Sequence, residues 1–65
     1  MDSAGNILVL KVVPGMAMAV GAALDALNWS EMVGCIAGDD TIFCAIRTVQ
    51  DVKTVMSRLG ELIEG

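Results

Sequence analysis

The chain has 65 residues, a formal charge of −4 and no histidine; 55% of its residues are hydrophobic and 18% are charged. A domain this short buries only roughly 60% of its unfolded surface, so a lone copy is marginally stable, and its charged share falls below the usual ~25%. The acidic balance excludes nucleic-acid binding through the chain's own surface, two cysteines make neither a disulfide framework nor a metal cluster, and the missing histidine excludes Ser–His and Cys–His catalysis.

The start, Met1-Asp2-Ser3, is acidic where a signal peptide is basic. Asp2-Ser3-Ala4-Gly5-Asn6 reads as a turn, and residues 6–13, rich in Ile, Leu and Val, read as a strand. Pro14-Gly15 breaks it, with Pro14 suited to the first turn of a helix, where its missing N–H is not needed. Over residues 15–27 the spacing Ala17, Val20, Leu24, Leu27 predicts a helical core stripe, ended by Asn28 in a left-handed conformation. The longest uncharged stretch, residues 12–24, holds 13 residues including Pro14 and two glycines. That is short of the ~20 residues a membrane-spanning helix needs. The reading is a cytoplasmic protein with reduced thiols.

Residues 32–37 and 41–47 predict two strands joined at Gly38-Asp39-Asp40. With Asp39 and Asp40 as a two-residue loop, Val33, Cys35 and Ala37 face Ile46, Cys44 and Ile42 on one side, and Ile36 pairs with Phe43 on the other. A final helix is predicted over residues 49–63. Thr48 caps it, Asp51 stands in its first turn, and Val52, Val55, Met56, Leu59, Leu62 and Ile63 form its apolar stripe. The fold class is α+β in the order β-α-β-β-α, an antiparallel sheet with both helices on one face.

Two features predict self-association. Met16, Met18, Ala19, Ala22, Ala23 and Ala26 lie outside the first helix's core stripe, so its outer face is apolar too. The Ile36–Phe43 side of the hairpin is equally apolar where a monomer would be wet. An obligate or near-obligate oligomer satisfies both.

Few residues here carry chemistry. Asp39-Asp40 sets two like charges side by side, and local sequence alone favours an ordinary turn, because Asp bonds nearby backbone. The functional alternative is capture of a guanidinium or ammonium group, since a carboxylate accepts two parallel hydrogen bonds from guanidinium. Nothing nearby supplies enough oxygens for a divalent metal. Asp25 sits in the last turn of the first helix, against the dipole, at a cost of ~0.3–1 kcal/mol if exposed. It is a solubilising charge or a ligand contact. Cys35 and Cys44 read as small buried hydrophobes, Trp29 as a cover over the core's end, and the methionines as core and interface filler. No nucleophile–base pair can be assembled, so the chain is not read as an enzyme.

The ordered set Leu10-Lys11, Pro14-Gly15 with an Ala-rich helix, Leu24-Asp25, Gly34-x-Ile36-x-Gly38-Asp39-Asp40-Thr41 and a closing amphipathic helix resembles the carboxy-terminal domain of the bacterial arginine repressor family, over residues 6–62. The resemblance implies that residues 1–65 are one oligomerisation and arginine-binding domain. It also implies an amino-terminal winged helix-turn-helix that contacts operator DNA, absent from this chain, and a first strand cut short. Trimers stacking into a hexamer are implied, with L-arginine as co-repressor between them and no other cofactor. Asp39 and Asp40 would engage the ligand, Asp25 matches the helix acid, and Cys35 and Ala37 line the site. Cys35 departs from the family's usual Thr. Met18 stands where members carry a polar contact residue, and a thioether donates no hydrogen bond. Two rivals remain: an assembly domain indifferent to ligand, and an amino-acid-binding regulatory module of an enzyme.

Overall fold

A computed structural model describes residues 1–64, with side chains through residue 62; the reading of Ile63 as a stripe position lies outside the described side chains. The order is β1 (Asp2–Ala4), β2 (Ile7–Lys11), α1 (Ala17–Ala26), β3 (Met32–Ala37), β4 (Thr41–Ile46) and α2 (Val49–Glu64). The strands form one antiparallel sheet in the order β1-β2-β4-β3, so β4 lies between β2 and β3 and α1 crosses over it. Both helices pack on one face, α1 against β3 and β4, α2 against β2 and β4. The α+β class, the sheet and the helix placement agree with the sequence reading.

Alternation explains which face is dry. Leu8 and Leu10 of β2 point with Ile42, Cys44 and Ile46 of β4 into the core, where Ala17, Leu24, Val52, Val55 and Leu59 meet them. The opposite face leaves Ile36 79%, Val33 60% and Phe43 55% exposed. Most of the α2 stripe is buried as its period predicts, although Leu62 is exposed. Thr48 Oγ1 accepts the Asp51 N–H at 3.1 Å, making the expected cap. Trp29 packs against the core with the Arg58 guanidinium 5.4 Å from its ring centroid, and Arg58 Nη1 reaches Glu31 Oε1 at 3.1 Å.

Three local readings need correction. Asp2–Ala4 is a strand, paired residue for residue with Val9, Leu8 and Ile7, and the turn is only Gly5-Asn6, with Gly5 at φ +59°. Glycine first in a two-residue hairpin loop supplies the positive φ such a turn requires. Pro14 lies before the helix: the Met16 N–H bonds to Val13 O at 3.0 Å and Gly15 has φ +86°, a type II turn with Pro14 and Gly15 in its central positions. Finally, a bulge between Met32 and Gly34 pairs Met32, not Val33, with Ile46. One extra residue reverses the alternation, turning Met32 toward the core and Val33 outward. Below the bulge the expected pairs Cys35–Cys44, Ile36–Phe43 and Ala37–Ile42 all occur.

Candidate functional site

The N-terminus of α1 has no side-chain cap, yet its entry is held by the hairpin loop. The carbonyl of Asp39 accepts the N–H groups of Gly15 at 3.0 Å and Ala17 at 3.2 Å, and that of Asp40 accepts Val12 N–H at 2.8 Å. The tandem aspartates are therefore brought to the positive end of the helix dipole, which favours adjacent negative charge. Asp40 Oδ1 also accepts the Thr41 hydroxyl at 2.9 Å, and Lys11 Nζ donates to that hydroxyl oxygen at 2.9 Å. The Asp39 carboxylate makes no hydrogen bond among the described residues, and both aspartates are exposed.

Along the seam between α1 and β3 runs an open groove of about 260 Å³, lined by Met18, Gly21, Ala22 and Asp25 of the helix and by Cys35 and Ala37 of the strand. The helical members follow the i, i+3, i+4, i+7 rule and share one face. The groove exists because its walls are small and close: a Cβ on Gly21 would lie 3.3 Å from the Ala37 Cβ. The Asp25 carboxylate is exposed at its rim and makes no hydrogen bond or ion pair among the described residues, while Met18 is 75% exposed. Asn28, with φ +54°, turns the chain away just beyond, as expected of the helix stop.

Of the six residues singled out in the sequence, Asp25, Cys35, Ala37 and Met18 line this groove. Asp39 and Asp40 do not; they stand at the tip of the hairpin, beside the opposite end of α1 from Asp25. Eight residues of helix rise separate Ala17 from Asp25, about 12 Å. Ala22 was read only as part of the helix's apolar outer face and Gly21 was not singled out, although a glycine inside an Ala-rich helix is itself a signal of close approach. A second, more polar concavity of about 390 Å³ flanks Asp25 on its other side, with Asn28, Trp29 and Arg47 in its walls.

Among the described residues no three of His, Cys, Asp and Glu cluster to hold a metal. Burial raises the Cys35 thiol, partly offset by its hydrogen bond with Cys44, and burial together with that bond pushes Cys44 up to about 12. No helix among the described residues is long and apolar enough to cross a membrane.

Residues 1–61 match the family model described as arginine repressor, C-terminal domain. The chain is 64% identical to the arginine repressor of Lachnospira eligens, covering 98% of this chain and 42% of that protein. It is 65% identical to that of Lachnoclostridium phytofermentans, over 100% of this chain and 43% of the relative. With that of Bacillus subtilis the identity is 52%, over 95% and 42%. The chain thus spans about two fifths of the length of these relatives, all of them named as repressors rather than enzymes.

Proposed function

The chain belongs to the arginine repressor C-terminal domain family, and on that premise we propose that it is the effector-sensing and self-assembly module of an arginine-dependent transcriptional repressor of arginine metabolism genes. It associates into trimers and a dimer of trimers, and binds L-arginine where copies meet. Operator DNA is contacted by a winged helix-turn-helix domain of the whole protein, which works in the cytoplasm.

The observation that carries this reading is the division of the acidic groups. Asp25 rims a groove while Asp39 and Asp40 stand exposed at the far end of the same helix, on a domain that also leaves Met18, Val33, Ile36 and Phe43 exposed. A site completed by a second copy, whose hairpin tip meets the first copy's groove, gives each carboxylate a cationic partner. It also covers exposed apolar surface. Each copy contributes a formal charge of −4, so assembly concentrates negative charge, and a ligand of net charge +1 lessens the repulsion. A ligand that binds the assembled state more tightly must stabilise that state.

Calorimetric titration with L-arginine, with L-lysine as control, tests the reading. Hydrogen bonds to charged groups contribute about 1.5–3 kcal/mol, so Asp40→Asn and Asp25→Asn should each weaken binding by roughly 10- to 100-fold. An Asp40→Asn domain that binds arginine as the parent does would remove the aspartates from the site. The exposed thioether of Met18 favours a second reading, an assembly domain without ligand, for which the parent shows no heat of binding.

A further inference from the structure

Two thiols face each other in the middle of the β3–β4 hairpin, with Cys35 directly opposite Cys44. The ladder fixes the kind of pair. Gly38 N–H bonds to Thr41 O at 2.8 Å, so Ala37–Ile42 is a non-bonded pair, Ile36–Phe43 a bonded one, and Cys35–Cys44 again non-bonded. In such pairs the Cα atoms lie ~4.5 Å apart, within the ~4.4–6.8 Å that a disulfide spans. The two Sγ atoms are 3.0 Å apart, and the Met32 Sδ lies 3.3 Å from Cys35 Sγ. Access is unequal: Cys44 is 0% exposed, whereas Cys35 is half-buried and forms part of the groove wall.

We propose that Cys35 and Cys44 are a redox modification site, in which a hydroperoxide entering the groove oxidises Cys35 and Cys44 closes a reversible intrachain disulfide. The Cys35 thiolate attacks a peroxide oxygen, the O–O bond breaks, and Cys35 becomes a sulfenic acid while the departing oxygen leaves as water or an alcohol. The Cys44 sulfur then attacks the Cys35 sulfur. The S–O bond breaks, the hydroxyl leaves as water with the proton of Cys44, and the S–S bond forms. Two thiols have lost two electrons and two protons to one hydroperoxide, and an added dithiol reverses the change by exchange. Cys35 is the attacking group because it is the accessible sulfur and its hydrogen bond with Cys44 favours its thiolate. Burial raises both thiols, so the site reacts slowly, and the adjacent partner directs it to a disulfide before further oxidation. Resting on the functional reading above, arginine in the groove shields Cys35 and slows the reaction.

The test exposes the 65-residue chain to excess hydrogen peroxide, with and without saturating L-arginine, then alkylates it in denaturant with N-ethylmaleimide. Peptide analysis should find a Cys35–Cys44 link within one chain, lighter by two hydrogens than the two thiol peptides, and no maleimide adduct on either cysteine, whatever oxygen the exposed methionines take up. Dithiothreitol should restore two alkylatable thiols, and Cys44→Ala should leave a Cys35 sulfenic acid that dimedone traps. Two adducts on every chain, links only between chains, or sulfinic acid at Cys35 beside an alkylatable Cys44 would each overturn the proposal. Several-fold slower disulfide formation with arginine supports the shielding. Equal rates would overturn the ligand's placement over Cys35 while leaving the thiol pair standing.

Discussion

Replacing Gly21 by valine probes how closely α1 approaches the sheet, and with it the groove. A Cβ at this position already falls 3.3 Å from the Ala37 Cβ, inside the ~3.5–4.0 Å of comfortable carbon contact. Valine adds two methyl groups beyond that atom, and Ala37, rooted on β3, can yield only if the strand moves. Overpacking of this kind costs about 1–3 kcal/mol, of which leaving glycine in a helix interior recovers about 0.3 kcal/mol. The net loss is about 1–2.5 kcal/mol, against a total stability of about 3–10 kcal/mol for a domain of this length. Circular-dichroism melts at matched protein concentration should show Tm lowered by roughly 4–20 °C, given ~4–8 °C per kcal/mol in small domains. Adding Ala37→Gly should restore part of the loss, with a coupling of at least ~0.5 kcal/mol in the double-mutant cycle. An unchanged Tm, or two substitutions that simply add, would show that the helix–strand contact does not set the groove.

Three further outcomes follow from particular groups. Ile36→Glu places a charge at a position 79% exposed, so the fold should survive within ~0.5 kcal/mol while self-association, followed by sedimentation, is lost; an assembly of parental size would clear that sheet face of any role. Cys44 stays protonated in the folded chain up to about 12 while the unfolded thiol ionises near ~8.5, so its contribution is complete below that lower pH and is lost as pH rises toward the higher one. Urea midpoints should therefore fall more steeply from pH 8 to pH 10.5 in the parent than in Cys44→Val, and parallel curves would contradict this. Thr48→Ala removes the α2 cap and should cost ~1 kcal/mol in the same denaturation assay.

The second helix was legible because its stripe, its cap and its acidic first turn all point the same way. The hairpin register was legible from its loop upward, because a two-residue turn fixes every pair until a bulge intervenes. Val33 was misplaced because one extra residue reverses the alternation, and the one signal of it, the glycine Gly34 inside a strand, went unread. β1 was missed because all three of its residues are exposed, so it exists through backbone pairing and leaves no apolar pattern. Pro14 is equally at home in a first helical turn and in a type II turn, and only the Gly15 dihedral separates them. Asp25, Cys35, Ala37 and Met18 were named together only through the resemblance to the repressor family; the fold then sets all four along one seam between α1 and β3. The Asp39 carbonyl that secures the entry of α1 lay beyond any side-chain reading.

Sedimentation velocity at low micromolar protein, with and without millimolar L-arginine and with L-lysine as control, tests most directly the claim that this domain assembles with itself in response to its ligand. The account predicts a trimer that becomes a hexamer with arginine alone, and no such shift in Asp40→Asn. A monomer under all conditions, or an oligomer that ignores arginine and shows no heat on titration with it, would contradict the claim.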